Sequence, residues 1–219
     1  MNDGMLRQLP LLMDDLSASG WAQMPNAIGR RDCSALAHDL ELHYEAGDFR
    51  AAQIGRGTTQ SEHKTIRNDQ IHWLKAGAPE QSIQYWLKEM NDLTLALNEN
   101  FFLSINSFDS HFACYEPGSF YHKHRDQFRG SAGRVLSVVL FLNPDWLKAS
   151  DGELLIYQRE DDCTLAAEIK PEIGTLVVFQ SATILHEVRT TKRRRLSLTG
   201  WMSRGDDEPN RGISKSPFE

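Results

Sequence analysis

The chain has 219 residues, enough for one domain with a substantial core, and carries a formal net charge of −6 at neutral pH. That acidic balance argues against a protein built around nucleic-acid phosphates. Its three cysteines, Cys33, Cys114 and Cys163, are far apart and form no CxxC, which excludes a zinc knuckle or a disulfide frame and points to reduced thiols.

The N-terminal run LPLLM is followed at once by acidic residues and lacks a small-residue cleavage site, unlike a signal peptide. No apolar stretch is long enough to span a bilayer, so a cytoplasmic location is expected. Apolar residues at helical spacing predict helices over Leu6–Ser17 and Arg30–Ala46, the second closed by Gly47-Asp48. Next comes GRGTTQSEHKTIRNDQIHWL, residues Gly55 to Leu74. Its glycine-rich first half reads as a loop, with Gly55–Gln60 a candidate lid, and its end, IHWL, reads as a strand. Pro79–Phe102 predicts a long amphipathic helix with Ile83, Trp86, Leu87, Met90, Leu93, Leu97 and Phe101 in one stripe.

From Asp109 onward the pattern changes to short strands divided by turn residues: HFACY, RVLSVVLFLN, GELLIYQ, TLAAEIK, GTLVVFQ, ILHEV and RLSLTGW. Strands at intervals of about 8–12 residues predict an all-β sandwich or barrel. The expected architecture is mainly β, a double-stranded β-helix (jelly roll) with packed N-terminal helices. One domain would cover residues 1–204, with helical support over 1–102 and the jelly-roll core over 103–204. Residues 205–219, polar and with two prolines, would form a loose tail.

Within FYHKHRDQF, alternate residues of an extended strand share a face, so His122, His124 and Asp126 could address one point. An ordinary wet strand face is the plain alternative. The metal loop of the metallo-β-lactamase fold is another, but HxHxDH needs a histidine where Gln127 stands and further histidines downstream. His186, in ILHEV, is the only one after His124. A jelly roll sets distant strands opposite each other, so His186 could complete a site begun by the HxD. Two imidazoles and one carboxylate on one face of a metal characterise non-haem iron(II) oxygenases. Arg195 follows nine residues later. A guanidinium inside an apolar barrel requires an anion, and the far carboxylate of 2-oxoglutarate is one. The alternative for Arg195, in the run KRRR, is a solvated strand end. Alternation puts Arg195, Ser197 and Thr199 on one face, with Leu196 and Leu198 on the other.

Taken in order, IRNDQIHW, ACYEPGSFYHKHRD, GRVLSVVLFLNPDW, GELLIY, LHEV and RLSLTGW resemble the prolyl 4-hydroxylase branch of the 2-oxoglutarate/iron(II) dioxygenases, over roughly Ile66 to Trp201. The branch includes the hydroxylases of hypoxia-inducible factor and their bacterial relatives. The resemblance implies His124, Asp126 and His186 as catalytic iron ligands. It implies Arg195 as the 2-oxoglutarate anchor, helped by Thr199, with Tyr115 in the same pocket. Tyr121, Arg134 and Trp201 would line the substrate mouth, with Asp69 pairing Arg134 and Arg67 nearby. His122 is left at the rim, unligated.

The implied reaction is hydroxylation of a prolyl residue in a protein, with succinate and carbon dioxide as co-products. Ascorbate is a further candidate cofactor, and elongation factor Tu is the first candidate partner because bacterial members are associated with it. A small-molecule substrate such as free proline and a non-catalytic iron/2-oxoglutarate sensor are the competing readings. Nucleic acid is disfavoured by the charge, although KRRR could touch phosphate. One departure stands out: the family commonly has a tyrosine, bonded to the distal carboxylate, where this chain has Phe141. Such a hydrogen bond contributes about 1.5–3 kcal/mol, unless Ser197 or Thr199 compensates.

Overall fold

The computed structural model describes residues 1–52, 65–127, 133–158 and 163–205. The candidate lid Gly55–Gln60 and nearly all of the C-terminal segment lie outside the described residues.

Helix α1 (Asp3–Ser19) opens on the Asn2 side chain, which accepts the Met5 N–H, and stops at left-handed Gly20. α2 spans Arg30–Glu45 and α3 spans Gln81–Phe101. On α3 the predicted stripe is the buried one: Ile83, Trp86, Met90, Leu93 and Leu97 are each almost wholly removed from water. Burial of a side chain of this size contributes roughly 1.5–3 kcal/mol.

The strands, in chain order, are β1 (Trp21–Met24), β2 (Arg50–Ala51), β3 (Gln70–Trp73), β4 (Ser107–Tyr115), β5 (Tyr121–His124), β6 (Arg134–Phe141), β7 (Leu154–Tyr157), β8 (Leu165–Ile169), β9 (Leu176–Gln180), β10 (His186–Val188) and β11 (Arg195–Ser203). They form two antiparallel sheets, β1-β9-β6-β11-β4-β3-β2 and β5-β10-β7-β8. This is the expected jelly roll with helices packed on one side. The first hundred residues are not only support, however, because β1 and the β2–β3 pair extend the larger sheet at both edges.

Strand alternation assigns the two faces of the larger sheet. Phe112, Cys114, Leu136, Val138, Leu140, Leu196, Leu198 and Met202 join the helical core with Trp86 and Leu93. Ala113, Tyr115, Val139, Phe141, Val177 and Phe179 point the other way, against Leu154, Ile156 and Val188 of the smaller sheet. Arg195, Ser197, Thr199 and Trp201 follow that second parity and line the cavity between the sheets.

Candidate metal centre

His124 closes β5 and His186 opens β10, and the two are direct partners in the β5–β10 ladder. Opposed residues of an antiparallel pair hold their side chains close. The imidazole centroids are 4.1 Å apart, with ring planes at 56°. Asp126 joins them, but not by strand alternation. β5 ends at His124, and Asp126 sits in the bend that follows. Its Oδ1 is 3.4 Å from His124 Nε2 and 3.8 Å from His186 Nε2. His122 does not share this face: it is exposed and its ring packs on Phe120 at 4.4 Å. It contributes through its backbone, since its carbonyl lies 2.7 Å from His124 Nδ1.

The other contacts prepare three lone pairs for one ion. His186 Nδ1 faces the Ile184 carbonyl at 3.2 Å, so on both rings the proton belongs on Nδ1 and Nε2 is left to ligate. Ser137 donates its hydroxyl to Asp126 Oδ2 at 2.6 Å and meets Ser181 at 2.8 Å, which leaves Oδ1 for the metal. Burial would raise the Asp126 carboxyl. Where the imidazoles carry protons on Nε2, they and the Ser137 hydroxyl outweigh burial and hold it well below the usual carboxylate range, a role a metal ion would take over. Burial, reinforced by His124, pushes His186 down to about 4, the neutral form a ligand requires.

A second cluster, His43, Asp48 and His72, also brings its donor atoms within 4.8 Å of one another. Its geometry differs. The two imidazoles stack at 4.3 Å with planes at 18°, and their in-plane lone pairs cannot meet on one ion without turning. His43 Nδ1 instead lies 2.8 Å from Asp48, and its Nε2 lies 3.4 Å from Glu80. This cluster ties the end of α2 to β3.

Arg195 stands at the base of the cavity, 1% exposed and opposite Tyr115 in the β11–β4 ladder. Its Nε donates to the Gly152 carbonyl at 2.9 Å, and one terminal nitrogen approaches Ser197 Oγ at 3.4 Å. The guanidinium lies 5.0 Å from the ring centres of both Tyr115 and Phe141. Among the described residues no carboxylate comes within ion-pairing distance of it, and burial lowers its pKa. The other cations of KRRR are engaged outside: Lys192 with Asp151 at 2.7 Å, Arg194 with Glu41 at 2.7 Å, and Arg193 over the Trp146 ring.

His124, Asp126, His186, Arg195, Thr199, Tyr115, Tyr121, Arg67 and Trp201 line one cavity; Asp69 and Arg134 are not part of its lining. The expected Asp69–Arg134 pair is corrected. Arg67 and Asp69, two residues apart on an extended segment, form a bidentate pair at 2.7 and 2.6 Å. Arg134 lies over the Trp201 indole at 3.7 Å and donates to the Asp126 carbonyl at 3.1 Å. Arg67 in turn covers the Tyr121 ring, which stacks on His124 at 3.5 Å. Sequence reasoning missed Ser137 and His111. Both are legible in hindsight: Ser137 interrupts the apolar run of β6 on its inward parity, and His111 shares the parity of Ala113 and Tyr115 on β4.

Residues 110–203 match the model of the 2OG-Fe(II) oxygenase superfamily. The crystal structure of a Pseudomonas putida prolyl-4-hydroxylase is 36% identical, covers 90% of this chain and 100% of that one, and superposes with a TM-score of 0.81. The chain belongs to the 2OG-Fe(II) oxygenase superfamily, whose members use iron(II) and 2-oxoglutarate. A Trichoplax adhaerens prolyl hydroxylase, solved with a hypoxia-inducible-factor peptide, shares the fold at 22% identity and a TM-score of 0.80, covering 90% of this chain and 89% of its own. Egl nine homolog 1 of Mus musculus is 26% identical over 206 residues, 91% of this chain and 50% of that protein. The chain thus spans about half the length of this curated relative.

The residues present fit the family's groups. Two Nε2 atoms and one carboxylate oxygen converge as a facial set for iron(II), and the same cavity holds a buried cation that meets no anion among the described residues.

Proposed function

We propose that this protein is a 2-oxoglutarate- and iron(II)-dependent dioxygenase that hydroxylates a prolyl residue in a protein. The carrying observation is Arg195: a buried guanidinium with no counter-ion among the described residues, in the cavity that holds His124, Asp126 and His186. An uncompensated buried charge is costly, and a dicarboxylate reaching from the metal would supply the missing anion.

When bound, iron(II) with 2-oxoglutarate and dioxygen supplies oxidative decarboxylation to succinate and carbon dioxide, coupled to hydroxylation of a C–H bond. The chain's own residues do the rest. His124, His186 and Asp126 would hold the metal, with Ser137 orienting the carboxylate. Arg195 binds the far carboxylate of the co-substrate, while Val139, Leu154 and Phe179 wall it from water. Arg134, fixed on Trp201 and on the Asp126 carbonyl, links the mouth to a metal ligand. The Arg67–Asp69 pair presses Tyr121 onto His124.

A prolyl substrate is supported by the 36% identical relative named as a prolyl-4-hydroxylase. Elongation factor Tu is the first protein to test. The described cysteines carry free thiols, in keeping with a cytoplasmic setting. The test is anaerobic titration of iron(II) and 2-oxoglutarate into wild type and His186→Ala, followed by mass spectrometry for an added oxygen atom on protein proline. Iron and 2-oxoglutarate binding that survives His186→Ala unchanged would refute the site. An added oxygen on free proline alone would refute the protein substrate, and tight binding without succinate from any substrate would favour the sensor.

A further inference from the structure

His111 lies on β4 at the same parity as Ala113 and Tyr115, so it turns toward the space between the sheets. It stands opposite Thr199 on one side and Trp73 on the other. Its ring sits 5.0 Å from Trp73 and 5.3 Å from Trp201, stacked on the latter at 28°. Arg134 covers the same Trp201 indole at 3.7 Å. His111 is 2% exposed and Trp201 8% exposed. Burial, with Arg67 and Arg134 nearby, pushes the His111 pKa down to about 3, so the ring is neutral.

Among the described residues, His111 Nδ1 and Trp201 Nε1 find no hydrogen-bond partner. Leaving a buried polar group unsatisfied is costly, and two on adjoining rings are unusual in a folded protein. Both residues line the cavity that holds the metal ligands and Arg195. An indole N–H only donates, so its missing partner is an acceptor. A neutral imidazole protonated on Nδ1 makes a second donor beside it, and two neighbouring donors suit the two oxygens of one carboxylate.

We propose that His111 and Trp201 form a donor pair for the inner carboxylate of 2-oxoglutarate, the end remote from Arg195. This inference rests on the oxygenase reading above. It assigns His111 a ligand contact that the metal triad and the Arg195 anchor do not supply.

The test is anaerobic titration of the iron(II)-loaded protein with 2-oxoglutarate, followed by the visible charge-transfer band of the complex. His111→Leu is expected to raise the dissociation constant roughly tenfold and to shift the band, as befits loss of a hydrogen bond to a charged group. Trp201→Phe, which keeps the ring and removes the donor, should weaken binding similarly. His111→Asn, which retains a donor, should fall closer to wild type than His111→Leu, and Trp201→Phe carries the test if His111→Leu fails to fold. Dissociation constants within twofold of wild type in folded Trp201→Phe, and in His111→Leu where it folds, with an unmoved band, would overturn the inference; the two atoms would then be served by water. Absence of the band in wild type would instead overturn the oxygenase reading.

Discussion

Arg195 and Ser197 sit two residues apart on one face of β11, and the guanidinium reaches Ser197 Oγ at 3.4 Å while resting against the Phe141 ring. Ser197 is also the register partner of Phe141 on β6. Ser197 thus sets a hydroxyl beside the Phe141 ring and the Arg195 guanidinium, which makes it the candidate to compensate for the absent tyrosine. Phe141→Tyr alone should leave 2-oxoglutarate affinity within about twofold. Ser197→Ala should weaken it roughly tenfold, and Phe141→Tyr should restore much of that loss in the Ser197→Ala background. Calorimetric titration of the four proteins closes the cycle; purely additive effects would show that the two positions do not substitute for each other.

Arg195→Met should move stability and binding in opposite directions. Without co-substrate the change removes a buried charge, so the melting temperature of the ligand-free protein should hold steady or rise. With 2-oxoglutarate the anchor is gone, and affinity should fall by about a hundredfold or more. Iron affinity should be unchanged. A lower melting temperature together with unimpaired 2-oxoglutarate binding would show that the guanidinium serves the fold alone.

Ser137→Ala removes the hydrogen bond that fixes the idle oxygen of Asp126. Loss of an outer partner of a metal ligand typically costs about 10- to 100-fold in metal affinity. Competitive iron(II) binding against a chromophoric chelator measures it. Unaltered affinity would mean that Ser181 or the backbone holds the carboxylate.

Gly152 adopts φ +79°, and a Cβ there would lie 2.9 Å from Thr191 Oγ1. Its carbonyl also receives Arg195 Nε. Gly152→Ala should cost about 1–2 kcal/mol in chemical denaturation from backbone strain alone, and more where the side chains cannot yield. It should also weaken 2-oxoglutarate binding, because the acceptor that aims Arg195 moves. A destabilised variant with native co-substrate affinity would separate the two effects.

Much of the site was legible because it follows strand parity. The alternation of Arg195, Ser197 and Thr199 against Leu196 and Leu198 is local, and the sheet preserves it. Three features were not legible, each for a physical reason. Asp126 lies beyond the end of β5, where a bend, and not the pleat, aims the side chain; reading His122, His124 and Asp126 as one face assumed a strand that stops two residues earlier. Asp69 had two arginines to choose between, and sequence alone does not weigh a neighbour two residues away against one brought near by folding. β1 is only four residues long, WAQM, and is held by its pairing with β9 more than by any pattern of its own. His111 is within reach of the same parity, since it shares a strand face with Tyr115.

The imidazole pair belongs to the four-stranded sheet and Arg195 to the seven-stranded one. A molecule gripped at both ends therefore acts as a rivet through the seam of the sandwich, and filling the cavity tightens the whole body as well as the site. Amide exchange should slow along β5 and β10 as well as along β11 when iron and 2-oxoglutarate are both present, because separating the layers then requires letting go of one end.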